Sequence, residues 1–133
     1  DPLIRRNAHL NLEKLGVTVR SYLPDFYGRL DDNISGADNT DRFEVSWTLD
    51  SPEVEAAVQR SIDRAGSIAT YPGPVKVAHD HGIRFELHAD YEELRRTDPA
   101  AAAEFRDASR AVFGPAFDEG LSVTFVDGGY VFA

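Results

Sequence analysis

The sequence predicts an α/β (α+β) chain in which helices pack on a mixed, largely antiparallel sheet. Three features carry that expectation. Apolar residues recur at helical spacing in three stretches, alternating β-branched and aromatic residues form short runs in adjacent pairs, and Gly- or Asp-rich turn signals separate the members of a pair.

Ile4, Ala8, Leu12 and Leu15 share one helical face, and Gly16 supplies the stop that helix ends favour, so an amphipathic helix is expected over Leu3–Leu15. Its other side lines up Asn7, Asn11 and Lys14 at spacings of four and three. Val17 to Leu23 alternates and stops at Pro24, as a strand does. Arg42 to Leu49 forms a second strand, with Phe43, Val45, Trp47 and Leu49 on one face. The polar stretch between them, Gly28 to Asp41, carries Asp31, Asp32, Asn33, Gly36, Asp38 and Asn39 and is longer than a hairpin needs.

Ser51-Pro52 is a helix start, with Ser as cap and Pro at the first position. Val54, Val58 and Ile62 mark its buried stripe, and it should end near Gly66. Ser67 to Pro74, with Gly73 between two prolines, reads as a connector between residues 1–66 and 67–133, two stretches expected to pack as one body. Val75–Ala78 and Ile83–His88 suggest a hairpin turning at Asp80-His81-Gly82. Asp90-Tyr91-Glu92-Glu93 has capping-box spacing before a short helix, and Asp98-Pro99 opens a longer one. Phe105, Ala108, Val112 and Phe113 supply the buried face of that helix, Gly114-Pro115 should kink or interrupt it, and Gly120 should close it. Leu121–Val126 and Tyr130–Phe132 flank Asp127-Gly128-Gly129, a signal for a terminal hairpin. Each half thus holds a helix followed by two strands, without a residue-by-residue repeat.

A chain of 133 residues can form one compact domain, burying roughly two-thirds of its unfolded surface if it folds alone. With no cysteine there is no disulfide or thiolate metal site. No apolar run is long enough for a bilayer and no secretory signal is visible, so a cytoplasmic protein without a membrane partner is expected. A formal net charge of -9 argues against nucleic acid, whose phosphates call for clustered Lys and Arg. The chain has no methionine and opens Asp1-Pro2-Leu3, so upstream residues are expected to have been removed.

Asp1-Pro2-Leu3, the run Asn7-Ala-His-Leu-Asn11-Leu-Glu-Lys14-Leu-Gly16, then Tyr22, Tyr27-Gly28 and Thr40-Asp41-Arg42 before a strand reaching Trp47 form an ordered series. The series resembles a family of bacterial predicted acetyltransferases of the GNAT superfamily. The likeness extends through Ala89-Asp90 and the Ala-rich helix to the last strands, with the Asn-Asn-Lys-Leu-Gly element its most specific part. The resemblance implies that residues 1–66 are the C-terminal half of the acyltransferase core, with residues 67–133 an appended strand-helix-strand unit. It implies transfer of an acyl, most simply acetyl, group from acyl-CoA to a small-molecule amine, with this chain on the acceptor side. GNAT proteins hold the acyl-CoA pyrophosphate on a Gly-rich loop at a helix N-terminus, and the chain carries no such loop. The cofactor-binding residues are therefore unknown. The N-terminal half would come from the parent protein or a partner, and a homo-oligomer is the other arrangement expected. Asn33-Ile-Ser-Gly-Ala-Asp-Asn39 replaces the family's Leu-Asn-Ala-Gly type of run, and His88 replaces an apolar or proline-like position, so the family's acceptor is not carried over.

Asn7, Asn11 and Lys14 are candidates for orienting the thioester or acceptor, since amides and an ammonium stabilise a developing oxyanion. Equally, the two Asn can bridge the helix to a loop while Lys14 complements the helix C-terminus. Tyr22 and Tyr27 are the candidate proton donors to the departing thiolate, or else rings covering a sheet edge. Asp41 and Arg42 would hold the loop against the acceptor. His79, His81 and His88 lack the spacing of a fixed ligand set, and the loop aspartates do not match an EF-hand, so no metal is expected. The alternative to an enzyme is a non-catalytic binding or assembly module whose acidic loop meets a cationic partner.

Overall fold

The elements run α1 (Arg5–Ala8), π1 (His9–Lys14, π-helical), β1 (Thr18–Leu23), β2 (Arg42–Ser46), α2 (Pro52–Asp63), β3 (Lys76–His79), β4 (Gly82–Glu86), α3 (Tyr91–Thr97), α4 (Pro99–Asp118), β5 (Val123–Val126) and β6 (Gly129–Phe132). The computed structural model describes residues 1–28, 38–63, 76–79 and 82–133. Asp31, Asp32, Asn33 and Gly36, the helix end near Gly66, the Ser67–Pro74 connector and the turn pair Asp80-His81 lie outside the described residues. The α+β class is as the sequence predicts, but the described strands are all antiparallel and fall into two sheets, β1-β2 and β3-β4-β6-β5.

The first helix departs from the expected regular α-helix. After Ala8 it widens into π geometry, with the Leu15 N–H reaching the Leu10 carbonyl at 2.9 Å, five residues back. The wider turn breaks the α spacing that aligned Asn7, Asn11 and Lys14, so Lys14 leaves their line. Gly16 then turns the chain with φ +67°, and a Cβ there would lie 2.5 Å from the Glu53 carbonyl oxygen at the start of α2. Both the left-handed backbone and the close approach demand glycine. Gly16→Ala is accordingly expected to cost at least ~1–2 kcal/mol, read as a lower denaturation midpoint at unchanged m-value.

β2 is shorter than its alternation suggests. Its partner begins at Thr18, which pairs with Ser46, so the ladder runs out there and Trp47 and Leu49 lie beyond it, exposed. The Trp47 indole N–H instead donates to the Leu15 carbonyl at 3.0 Å. A bulge between Val19 and Ser21 re-aims β1 so that Val19 and, further along, Tyr22 both reach the core.

Ser51 caps α2 as expected, accepting from the Val54 N–H. Among the described side chains of α2 the buried one is Ala57, and Val58 is exposed rather than part of the inner stripe, while the side chain of Ile62 lies outside the described residues. Asp90 and Asp98 cap α3 and α4 through the Glu93 and Ala101 N–H groups. α4 runs unbroken through Pro115, because the proline falls in its closing turns, where Phe113, Ala116 and Phe117 hold the helix on the core. Its inner face also differs from expectation: Ala108 is exposed, and Arg106 and Ser109 are buried beside Phe105, Val112 and Phe113. Asp127 and Gly128 both have positive φ, the two-residue turn that matches strand twist, so the terminal hairpin forms where the sequence puts it.

Among the described residues one apolar cluster joins the two halves: Leu3, Ile4, Ala8 and Val19 from the first pack with Phe85, Phe105, Phe113, Tyr130 and Phe132 from the second. Tyr130 seals the joint, its buried hydroxyl donating to the Pro2 carbonyl at 2.6 Å. Among the described residues no helix is long and apolar enough to cross a membrane.

Candidate functional site

α4 carries Arg106 and Arg110 one turn apart, and that spacing aims both guanidiniums at the chain start and the ends of the segment between β1 and β2. Arg106 is 1% exposed. It forks onto Asp1, with Nη1 and Nη2 donating to Oδ1 and Oδ2 at 3.0 and 2.6 Å, and also donates to both Asp38 oxygens, at 3.3 and 2.7 Å. Its ring-side neighbour is Tyr91, whose centroid lies 5.2 Å from the guanidinium carbon and whose hydroxyl donates to Asp38 at 3.0 Å. Arg110 forks onto Asp41 at 3.0 and 2.7 Å and bridges to Asp25 at 2.8 Å.

Asp41 is completely buried and fully engaged. Besides Arg110 it accepts from the Tyr22 hydroxyl at 2.5 Å and from the Asp25 N–H at 3.1 Å. Burial pushes its carboxyl up, but the hydrogen bonds from Arg110, Tyr22 and Asp25 and the charge of Arg106 outweigh burial and hold it below the usual carboxylate value. Burial and the bond to Asp41 push the Tyr22 phenol up in turn. Thr40 completes the tie, accepting the Tyr27 N–H and donating to the Gly28 carbonyl. Asp41 and Thr40 therefore clip together the two ends of the long segment. Among the described residues no buried side-chain polar atom lacks a partner.

A second feature lies on the other side of Asp1. The first helix and the β1-β2 ribbon enclose a cleft of about 140 Å³, with Asp1, Asn7 and Asn11 on its polar side and Val19, Phe43 and Tyr130 beneath. The Asn11 amide N–H donates to the Asn7 carbonyl oxygen at 2.9 Å, across the change from α to π geometry.

The structure thus sorts the site residues expected from sequence into three places. Asn7 and Asn11 meet in the cleft, and Lys14 is exposed outside it. Tyr22 and Asp41 meet in the clamp under α4. Tyr27 is exposed at the surface, with the Arg42 guanidinium 5.2 Å over its ring. Arg42 also donates to the Asp41 carbonyl at 2.7 Å. Sequence reasoning missed Asp1, Asp38, Arg106 and Arg110. The available signal was an arginine set between Ala102, Ser109 and Phe113 on the inner stripe of an otherwise apolar helix face.

His88 Nδ1 accepts the Asp90 N–H, and His81 and the side chain of His79 lie outside the described residues. Among the described residues no group of three or more His, Asp or Glu side chains is placed to hold a metal ion. Comparison with protein-family models, with curated proteins and with solved structures finds no match for this chain. The resemblance to the acetyltransferases stands on its motif residues alone.

Proposed function

We propose that this chain forms the acceptor side of an acyl-CoA-dependent N-acyltransferase of the cytoplasm, with the amine acceptor held in the cleft between the first helix and the β1-β2 ribbon. The observation that carries this is that Asp1, Asn7 and Asn11 share with the apolar Val19, Phe43 and Tyr130 the lining of one space of about 140 Å³. Such a space suits an aminoalkyl end. The Asn11 N–H is committed to Asn7, so its carboxamide oxygen is the end left to accept from an amine, and orientation is what such a contact contributes. The amine nitrogen attacks the thioester carbonyl carbon, the C–N bond forms as C–S breaks, and the proton lost by nitrogen ends on the thiolate. Neither Tyr22 nor Tyr27 lines the cleft: the Tyr22 hydroxyl is held by Asp41 and Tyr27 is exposed at the surface, so the proton reaches the thiolate through solvent. Exposed Val45 in the cleft lining, followed by exposed Trp47 and Leu49, supports a covering partner, which would bring the acyl-CoA.

Calorimetric titration with n-butylamine tests the proposal. Weak saturable binding is expected, reduced about tenfold by Asn7→Leu and by Asn11→Leu, the loss of about one hydrogen bond to a charged group. Unchanged binding in both variants, or none in the parent chain, refutes it.

The second reading is a non-catalytic binding or assembly module. It is favoured by the commitment of Tyr22 and Asp41 to the clamp, which leaves those groups holding structure. A chain that gives no heat with n-butylamine or acetyl-CoA would put this reading first.

A further inference from the structure

We infer that the open edge of β5 is a docking groove for an extended, basic peptide segment, which adds to the four-stranded sheet as a further strand. The inference is independent of acyl transfer. Among the described residues β5 ends the strand order β3-β4-β6-β5. Ser122 and Ala133 exchange both backbone hydrogen bonds, at 2.9 and 3.0 Å. Alternation from that pair turns the N–H and C=O of Thr124 and Val126 towards β6 and those of Val123 and Phe125 outwards. Val123 and Phe125 are buried core residues, so the strand is anchored, and both also line the groove that borders its outer edge.

Natural sheets blunt such an edge with Lys, Pro, a bulge or a covering element, and Val123-Thr-Phe-Val126 carries no charge, proline or bulge. The edge instead borders a groove of about 730 Å³, whose far wall is the start of β1 and the first turns of α2. Ser122 to Val126 spans about 16 Å at strand rise, the length of a pentapeptide. Charge selects the occupant. Among the described residues Glu13, Glu53 and Asp127 line the groove and no Lys or Arg does, so a basic segment is attracted. A second copy pairing edge to edge would set those carboxylates against their own kind.

The probe is a capped, fluorescein-labelled Lys-Val-Lys-Val-Lys peptide, followed by anisotropy and by amide hydrogen exchange. Saturable binding is expected, with Val123 and Phe125 amides protected about tenfold or more. N-methylation of the peptide nitrogens on one edge should weaken binding about tenfold, as should a Glu-Val-Glu-Val-Glu sequence. Glu53→Gln should reduce affinity a few-fold and flatten its salt dependence. Binding without protection at Val123 and Phe125, or equal affinity for peptides N-methylated on either edge, would mean adhesion by charge alone and overturn the inference. Failure to saturate by about 1 mM, or self-association of the free chain through this edge, would overturn it as well.

Discussion

Arg106→Met is expected to destabilise the fold by about 3–5 kcal/mol, since it strands carboxylates that are costly to bury without a partner. The side chain is 1% exposed and serves Asp1 and Asp38 together, so one change leaves both without their main donor. Against a typical stability of about 5–15 kcal/mol, such a loss is large enough to measure by urea titration at neutral pH. Arg106→Lys should fall between, because an ammonium is a point charge and cannot fork onto two carboxylates. The exposed Arg96–Glu93 pair, at 2.7 Å, is the control, and Arg96→Ala should leave the midpoint in place.

Acid should reach the same clamp. The Asp41 carboxyl is held below its ordinary value of 3.8, so its contribution to stability is complete above that pH and is lost as pH falls through the lower folded value. The urea midpoint is therefore expected to drop below about pH 4, and Asp41→Asn should flatten that limb while lowering stability above it. A midpoint as steep in acid for Asp41→Asn as for the parent chain would remove Asp41 from this role.

Phe113→Ala carries a comparable cost, about 3–5 kcal/mol, as a large-to-small change in a closed core. Phe113 is fully buried, with ring centroids of Phe85, Phe132, Phe43, Tyr22 and Tyr130 between 5.1 and 5.6 Å away. These five rings come from the ribbon and from both hairpins of the second sheet, and Phe113 itself from α4. The loss should thus appear as a single cooperative transition at lower urea, and two separated transitions would show that the halves fold independently.

Both predictions rest on contacts that the sequence shows only in part. The aromatic residues were legible because each belongs to a local pattern: Phe113 to a helical stripe, Phe85, Tyr130 and Phe132 to alternating runs, and Tyr22 and Phe43 to the ribbon. Caps were legible too, since Ser51, Asp90 and Asp98 act on N–H groups three residues on. The clamp was not. Arg106 meets Asp1 across 105 positions and Asp38 across 68, and no local rule pairs charges so far apart. For the candidate site, Asn7 and Asn11 were visible as a spaced pair, but their separation from Lys14 depends on the π turn and on which side faces the ribbon.

What the sequence by itself determined is therefore the class of the fold, the existence of the described elements, the caps at Ser51, Asp90 and Asp98 and the turn at Asp127-Gly128, because propensity, periodicity and turn chemistry act over a few residues. What only the tertiary structure decided is where each element stops and what its faces meet. β2 ends at Ser46 because its partner begins at Thr18, Val58 is left outside while Ala57 is buried, and Asp41, already bonded to Tyr22, is buried under α4 where Arg110 forks onto it. Each of these outcomes depends on a neighbour distant in the chain, and burial and charge pairing, which set most of the energy, are properties of that neighbourhood.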